Sequence, residues 1–324
     1  MISQIALKEV EGVEITSLAD DAVDFMSTIM RKEARQVREW VKERMGEEWV
    51  KKHFRLPFAE HGFSVLIRVL REGKFHVVLF DTGISPDGVV NNAKRMGLNL
   101  GEIECIILSH GHYDHFGGLL GVLKAVKKES LPIIVHEDMF RTKGVVNSDG
   151  TIREYPEIPP ENQVAPAKYV ETNRSHLVAD EGILVTGEIP RNTDFEKGLL
   201  RQRVFSNGKW QPDPWVWDER AIVINVKRKG LVVISGCAHA GIINTIRNAQ
   251  QITGVSEVYA VMGGFHLAGS DCEPRISQTV EMLQKFNPPI VVPMHCTGWR
   301  GKYAIFEAMP QAFVWNSVGN LYCF

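Results

Sequence analysis

Cysteine is scarce in this 324-residue chain: Cys105, Cys237, Cys272, Cys296 and Cys323 are odd in number and scattered. They do not form a disulfide framework, so a reducing, cytoplasmic setting is expected. No apolar run reaches membrane-spanning length, and Met1 to Gly12 has neither a basic n-region nor a long apolar h-region. Neither a membrane anchor nor a signal peptide is therefore expected. Charge of either sign is not in excess, with a net charge of −2. That excludes a general polyanion-binding surface, so nucleic acid is not an expected partner. No segment is low-complexity, and no G-x-S-x-G elbow supports a serine-type triad. Apolar residues make up 44% of the chain, enough for a buried core.

What is abundant in one place is metal-binding chemistry. Leu108-Ser109-His110-Gly111-His112-Tyr113-Asp114-His115-Phe116-Gly117-Gly118 carries four metal-type ligands within six residues. The apolar run Cys105 to Leu108 before it predicts a buried strand, and Leu119 to Val126 after it predicts a helix. The ligands therefore occupy a strand-to-helix loop. His110 and His112 lie two apart on extended backbone, so both rings can turn to one side. Asp114 and His115 sit where the chain enters the helix and can face a second point nearby. Imidazole and carboxylate donors suit zinc, with manganese or iron as alternatives.

The rest of the chain reads as alternating strands and helices. Strands are expected at Gly12 to Ser17, Phe63 to Val69, Phe75 to Phe80, Leu131 to Val135, Gly182 to Ile189, Ala221 to Val226, Leu231 to Ser235, Glu257 to Met262 and Ile290 to Val292. Helices are expected at Asp87 to Met96, from about Gly241, and over Glu273 to Lys285, where Pro274 suits the first turn. Residues 21–53 carry apolar residues at helical intervals between charges. They read as a surface helix with one buried face, with a cover over the site or a homo-oligomer contact as alternatives. Residues 140–217 are proline-punctuated and irregular, and the tryptophans there (Trp210, Trp215, Trp217) argue against disorder. This stretch reads as a pocket-forming insertion in a single domain spanning the chain. His61 either faces the site or is a core histidine, and His136 at a strand end has a weaker claim on function.

The H-x-H-x-D-H stretch resembles the signature of the metallo-β-lactamase fold superfamily. Ala59 to Ser64, Ser235 to Ile242, Gly263 to Leu267 and Met294 to Gly298 resemble one branch of it. Members of that branch are named 7,8-dihydropterin-6-methyl-4-(β-D-ribofuranosyl)aminobenzene-5′-phosphate synthase-like, or dihydropteroate-synthase-related, proteins. The resemblance covers nearly the whole chain and implies an α/β fold: a four-layer αββα sandwich with its ligands at one shared edge. It further implies that Asp81, in Asp81-Thr82-Gly83, supports the metal loop by hydrogen bonding and that His295 is the last ligand. Cys237 occupies the position of a metal-ligating aspartate or cysteine. The superfamily's third histidine, expected before the strand at Ala221, is replaced by Trp217-Asp218-Glu219, and His239 is the best candidate to supply the missing ligand. Asp20-Asp21 stands where the branch has Asp-Asn.

Together these readings predict two divalent ions, one held by His110, His112 and His239 and the other by Asp114, His115 and His295. Asp114 or a shared water would bridge them. Two ions about 3.5–4 Å apart lower the pKa of a shared water towards neutrality. The expected reaction is metal-dependent hydrolysis of a small anionic, phosphorylated ester, with Asp114 and His266 as catalytic groups. His61, Cys237 and His266 are expected to line the substrate side. The alternatives are a transferase in pterin or methanopterin-type biosynthesis and a non-enzymatic metal or ligand sensor. An anionic substrate is expected for two reasons. The helix beginning near Gly241 would point free amides at the metal edge, and Arg191, Arg201, Arg203 and Arg300 lie in segments expected to border the pocket.

Overall fold

Alternation along the strands builds the layers. In Ser64–Arg71, Val65, Ile67 and Val69 point to one face and Leu66 to the other, as the two-residue strand period requires. The computed structural model describes residues 4–324. It contains an eight-stranded and a seven-stranded sheet, with a separate four-stranded sheet. The first runs, edge to edge, Lys168–Glu171, Pro132–Val135, Cys105–Ile107, Lys74–Phe80, Ser64–Arg71, Gly12–Ala19, Leu321–Cys323 and Ala34–Arg35. The second runs His176–Val178, Ile183–Val185, Ala221–Val226, Gly230–Ser235, Val258–Gly264 and Ile290–Met294, with Glu9–Val10 beside Ala221–Val226.

One apolar cluster joins the two sheets: Val65, Ile67, Phe80 and Ile107 from the first meet Ile222, Ile224, Ile234 and Met262 from the second. The outer face of the first sheet is covered by helices Val37–Met45, Gly88–Met96 and Leu119–Val126 through Trp40, Met96 and Leu119. Helices Ile242–Thr253, Ile276–Phe286 and Gly298–Ala308 cover the second through Ile246, Leu283 and Ile305. This is the expected αββα sandwich.

The two sheets share a plan. Each has an antiparallel hairpin followed by two parallel strands: Ser64–Arg71 and Lys74–Phe80 lead to Cys105–Ile107 and Pro132–Val135. In the second, Ala221–Val226 and Gly230–Ser235 lead to Val258–Gly264 and Ile290–Met294. Asp81, His110, His136, Cys237, His266 and His295 all lie just past the carboxyl ends of these strands, where open α/β sheets gather ligands. The helix after the histidine loop is drawn tight against the loop after Lys74–Phe80. A Cβ on Gly118 would sit 2.2 Å from the Thr82 carbonyl oxygen, and one on Gly121 would sit 1.9 Å from that of Pro86.

Three expectations are corrected. Residues 21–53 are not one helix: only Val37–Met45 and Glu47–His53 are helical, and Ala34–Arg35 is a strand on Leu321–Cys323. The Asp24 carboxylate accepts from the Met26 and Ser27 amides, a local bond that competes with helix. Met26 and Met30, read as part of a buried face, are exposed. Nor are residues 140–217 irregular throughout. They supply Lys168–Glu171 to the first sheet, and His176–Val178 and Ile183–Val185 to the second. The small sheet is Lys209–Pro212, Gln202–Ser206, Lys143–Val146 and Ile152–Glu154. Strands of three to five residues carry too few positions for alternation to be read. Glu273–Arg275 is a 3₁₀ turn, and the α-helix starts at Ile276.

Candidate metal centre

Three imidazoles converge at the sheet edge. His110 Nε2 lies 3.0 Å from His112 Nδ1 and 3.1 Å from His239 Nε2. The Ser109 hydroxyl donates to Asp81 Oδ2, so it is left to accept from His110 Nδ1–H at 2.9 Å. That fixes the tautomer in which His110 Nε2 carries a lone pair. His112 Nε2 and His239 Nδ1 are buried without a hydrogen-bond partner. Burial first, and neighbouring imidazoles second, push His110 and His239 well below the ordinary histidine range. His112 is pushed down to about 4, chiefly by burial. Three neutral rings with facing lone pairs suit a cation and little else.

The second group forms around Asp114. Its Oδ2 lies 3.1 Å from His295 Nε2 and 3.8 Å from His115 Nε2. His115 Nδ1 donates to Asp81 Oδ2 at 2.6 Å, and its Nε2 lies 3.2 Å from Cys237 Sγ. Burial works against the Asp114 carboxylate, but His115 and His295 outweigh it and hold its pKa far below the ordinary value. Burial likewise opposes protonation of His295, yet Asp114 and Asp21 hold its pKa well above the usual range. Burial pushes the Cys237 thiol well up. Asp81 is fully buried at φ +61° and also accepts from the Ser109 amide at 2.6 Å, so one carboxylate ties the loop backbone to His115. Ala238, His266 and His295 also take positive φ (56°, 42° and 44°). Left-handed backbone at non-glycine residues of a strand-end cluster marks functional constraint.

The remaining sequence candidates divide. His61 borders the second group, 3.8 Å from Asp114 Oδ2. The His266 ring lies 4.3 Å from that of His239. His136 caps its own 3₁₀ turn, accepting from the Asp138 amide at 3.0 Å, and serves structure. The expected anion site at the helix Ile242–Thr253 is already filled. Glu196 accepts from the Ile243 and Asn244 amides, both at 2.9 Å, and lies where a Cβ on Gly241 would be, 1.9 Å from the carboxyl carbon. The arginines are engaged elsewhere: Arg191 with the Ile189 and Trp215 carbonyls, Arg201 with Asp271, Arg203 with the Leu200 and Gln202 carbonyls, and Arg300 near Glu273.

Several supporting residues escaped the sequence reading. Asp218 accepts from the Gly111 amide at 2.7 Å and pairs with buried Lys143, which outweighs burial and holds its pKa at about 2. Glu219 accepts from the His239 and Ala240 amides, both at 2.6 Å. The signal was the acidic pair itself, standing where a histidine was expected. Asp20, already marked in the sequence by the Asp20-Asp21 pair, accepts from the His295 amide at 2.7 Å. Tyr155 places its ring 5.1 Å from that of His112, with its hydroxyl accepting from Gln202 Nε2 at 3.0 Å. No local pattern marked Tyr155 or Glu196.

A fold and loop geometry of this kind define a metal-binding α/β protein, and the family follows from comparison. Residues 58–250 match the model described as the metallo-beta-lactamase superfamily, and the chain belongs to that superfamily. A relative from Methanocaldococcus jannaschii is 34% identical over 268 residues, 79% of this chain and 88% of its own. It is named 7,8-dihydropterin-6-methyl-4-(beta-D-ribofuranosyl)-aminobenzene-5'-phosphate synthase. An uncharacterized protein of the same organism is 30% identical, covering 82% of this chain and 93% of its own. Among solved structures, one described as a metal-dependent hydrolase of the beta-lactamase superfamily aligns with a TM-score of 0.68 at 26% identity. That alignment covers 95% of this chain and 98% of the other. No helix among the described residues is long and apolar enough to cross a membrane.

Proposed function

We propose that the protein is a two-ion metalloenzyme acting on a small phosphorylated substrate, and that its reaction is group transfer of the kind named for the M. jannaschii relative. The observation that carries the two-ion reading is the division of donors. His110, His112 and His239 share one focus, and Asp114, His115 and His295 gather at another. Zinc is the first expectation for these nitrogen and carboxylate donors, with manganese or iron as alternatives.

When bound, such ions supply Lewis acidity towards a phosphoryl oxygen or leaving group. The protein's own groups do the positioning. Asp81 and Ser109 orient His115 and His110. Asp218 and Glu219 hold the backbone that carries Gly111 and His239. Asp20 holds His295. Tyr155, bonded to Gln202, stands against His112, and His266 stands against His239, from where it would protonate the leaving group. The name of the relative describes a product in which a 7,8-dihydropterin 6-methyl carbon is joined to an arylamine, so the transfer would form the bond from that carbon to the amine nitrogen, break the bond from the carbon to a phosphoryl or pyrophosphoryl oxygen that leaves with its electron pair, and release one proton from the amine nitrogen. Hydrolysis is the second reading, favoured by the structural relative described as a hydrolase.

The two readings separate in ¹⁸O-labelled water. Protein loaded with zinc or manganese would be given a 6-activated dihydropterin and a ribofuranosylaminobenzene 5′-phosphate. A joined product free of label supports transfer. Labelled pterin alcohol or inorganic phosphate without joining supports hydrolysis and overturns it.

A further inference from the structure

We infer that His61 is a fourth donor to the second ion, completing a shell of Asp114, His115, His295 and His61; this rests on the two-ion reading above. Three imidazole nitrogens surround one carboxylate oxygen. His295 Nε2 lies 3.1 Å from Asp114 Oδ2, and His115 Nε2 and His61 Nε2 each lie 3.8 Å from it. Donors at about 2.0–2.2 Å from a tetrahedral ion are about 3.3–3.6 Å apart. His61 therefore stands at the same distance as His115 from the shared oxygen, a modest closure from ligand spacing.

The far side of the ring repeats the pattern. A metal-bound histidine usually gives its other ring N–H to a carboxylate. His115 gives Nδ1–H to Asp81, and His61 has its Nδ1 3.2 Å from Asp21 Oδ1. Asp21 also lies 3.4 Å from His295 Nδ1, so it serves two rings of the same group.

The backbone around His61 is built rather than loose. The Glu60 amide donates to the Asp20 carbonyl and the Phe63 amide to the Asp114 carbonyl, both at 3.1 Å. Glu60 Oε1 accepts from the Ile84 amide at 3.2 Å. His61 is thus anchored to the two loops that carry Asp21 and Asp114. Its side chain is 67% exposed, whereas those of His115 and His295 are fully buried. The shell would therefore have one largely solvent-facing ligand, which substrate can displace without disturbing the other three.

Cobalt(II) titration of the metal-stripped full chain tests this, read by visible absorption. The wild type should take two equivalents. His61→Ala should bind the first normally and the second at least tenfold more weakly, with an altered visible spectrum that added imidazole restores. Far-UV circular dichroism should stay unchanged, since the side chain is exposed. If the wild type takes two equivalents and His61→Ala matches it in affinity and spectrum, His61 is not a ligand. If the wild type takes only one, the two-ion reading fails and the assignment falls with it.

Discussion

A histidine ligates only through a nitrogen that has lost its proton, so the two donor groups start from different states. His110, His112 and His239 are held neutral by burial, with pKa values below the ordinary range. His295 is the reverse: Asp114 and Asp21 overcome burial and keep it protonated at neutral pH in the metal-free protein. The sign follows directly. Loading the first group near pH 7 should release almost no imidazole protons, whereas loading the second must displace one from His295. Affinity for the second ion should fall at least tenfold per pH unit on acidification below the raised pKa of His295, and more steeply if His61, whose pKa Asp21 also raises, is a ligand; affinity for the first should stay nearly flat down to about pH 5. Calorimetry in two buffers of different ionisation enthalpy measures the protons, and equal release at both steps would refute the difference. A second residue-scale test concerns Lys143 and Asp218, buried together beneath the histidine loop. Lys143→Met leaves Asp218 buried without its partner and should cost about 3–5 kcal/mol in urea unfolding. Lys143→Met with Asp218→Asn should recover part of that loss. A double variant as unstable as the sum of the singles would mean that the pair is not coupled. The candidate ligands were legible because their types and spacing are unusual. The acids beneath them were not, because a buried carboxylate bonded to backbone amides looks in sequence like any other aspartate or glutamate.

Elements differ in how much of their placement is local. Ala221–Val226 and Leu119–Val126 were readable to the residue, because each is a continuous apolar or periodic run between clear breaks. The short strand Ala34–Arg35 and the strands within residues 140–217 depend on distant partners such as Leu321–Cys323 and Pro132–Val135. The helix Ile242–Thr253 shows the consequence for function. Its start was expected to offer free amides to an anion, yet Glu196, 47 residues earlier, reaches in and takes two of them. Glu196→Ala should therefore cost about 1–2 kcal/mol, as lost helix caps do. It should also open the helix terminus to solute. Inorganic phosphate should then raise the melting temperature of the variant more than that of the wild type, by thermal unfolding across a phosphate series. Equal stabilisation of both would show that the helix start stays closed without Glu196. Gly121→Ala, with its Cβ 1.9 Å from the Pro86 carbonyl oxygen, should be destabilised by more than about 2 kcal/mol on the same assay, because backbone rather than a flexible side chain is in the way.

At the scale of the whole molecule, the sandwich has two half-structures and the candidate metal centre lies across the seam. His110, His112, Asp114 and His115 follow a strand of the first sheet, and Cys237, His239 and His295 follow strands of the second. The apolar cluster between the sheets already holds these halves together, so the centre adds to the fold instead of creating it. The paired hairpin-plus-parallel-strand plan could be sensed in the sequence as a repeat of strand runs. Which sheet faces which could not, because alternation gives the buried side of a strand and says nothing about its partner. Ions that bind the assembled edge and not the unfolded chain stabilise the fold by mass action, by about 2.7 kcal/mol at a free concentration one hundred times the dissociation constant. For a chain of this length that is a rise in melting temperature of about 4 °C for each ion bound. Scanning calorimetry of chelator-stripped and zinc- or manganese-reloaded protein should show this rise. His239→Ala should lose the first ion's share of it, because that variant removes the second sheet's contribution to the first donor group while leaving the second group and the inter-sheet cluster intact. If stripped and reloaded proteins melt together, the ions do not bridge the halves. If His239→Ala gains as much from metal as the wild type, His239 does not supply the ligand missing from the Asp218-Glu219 position.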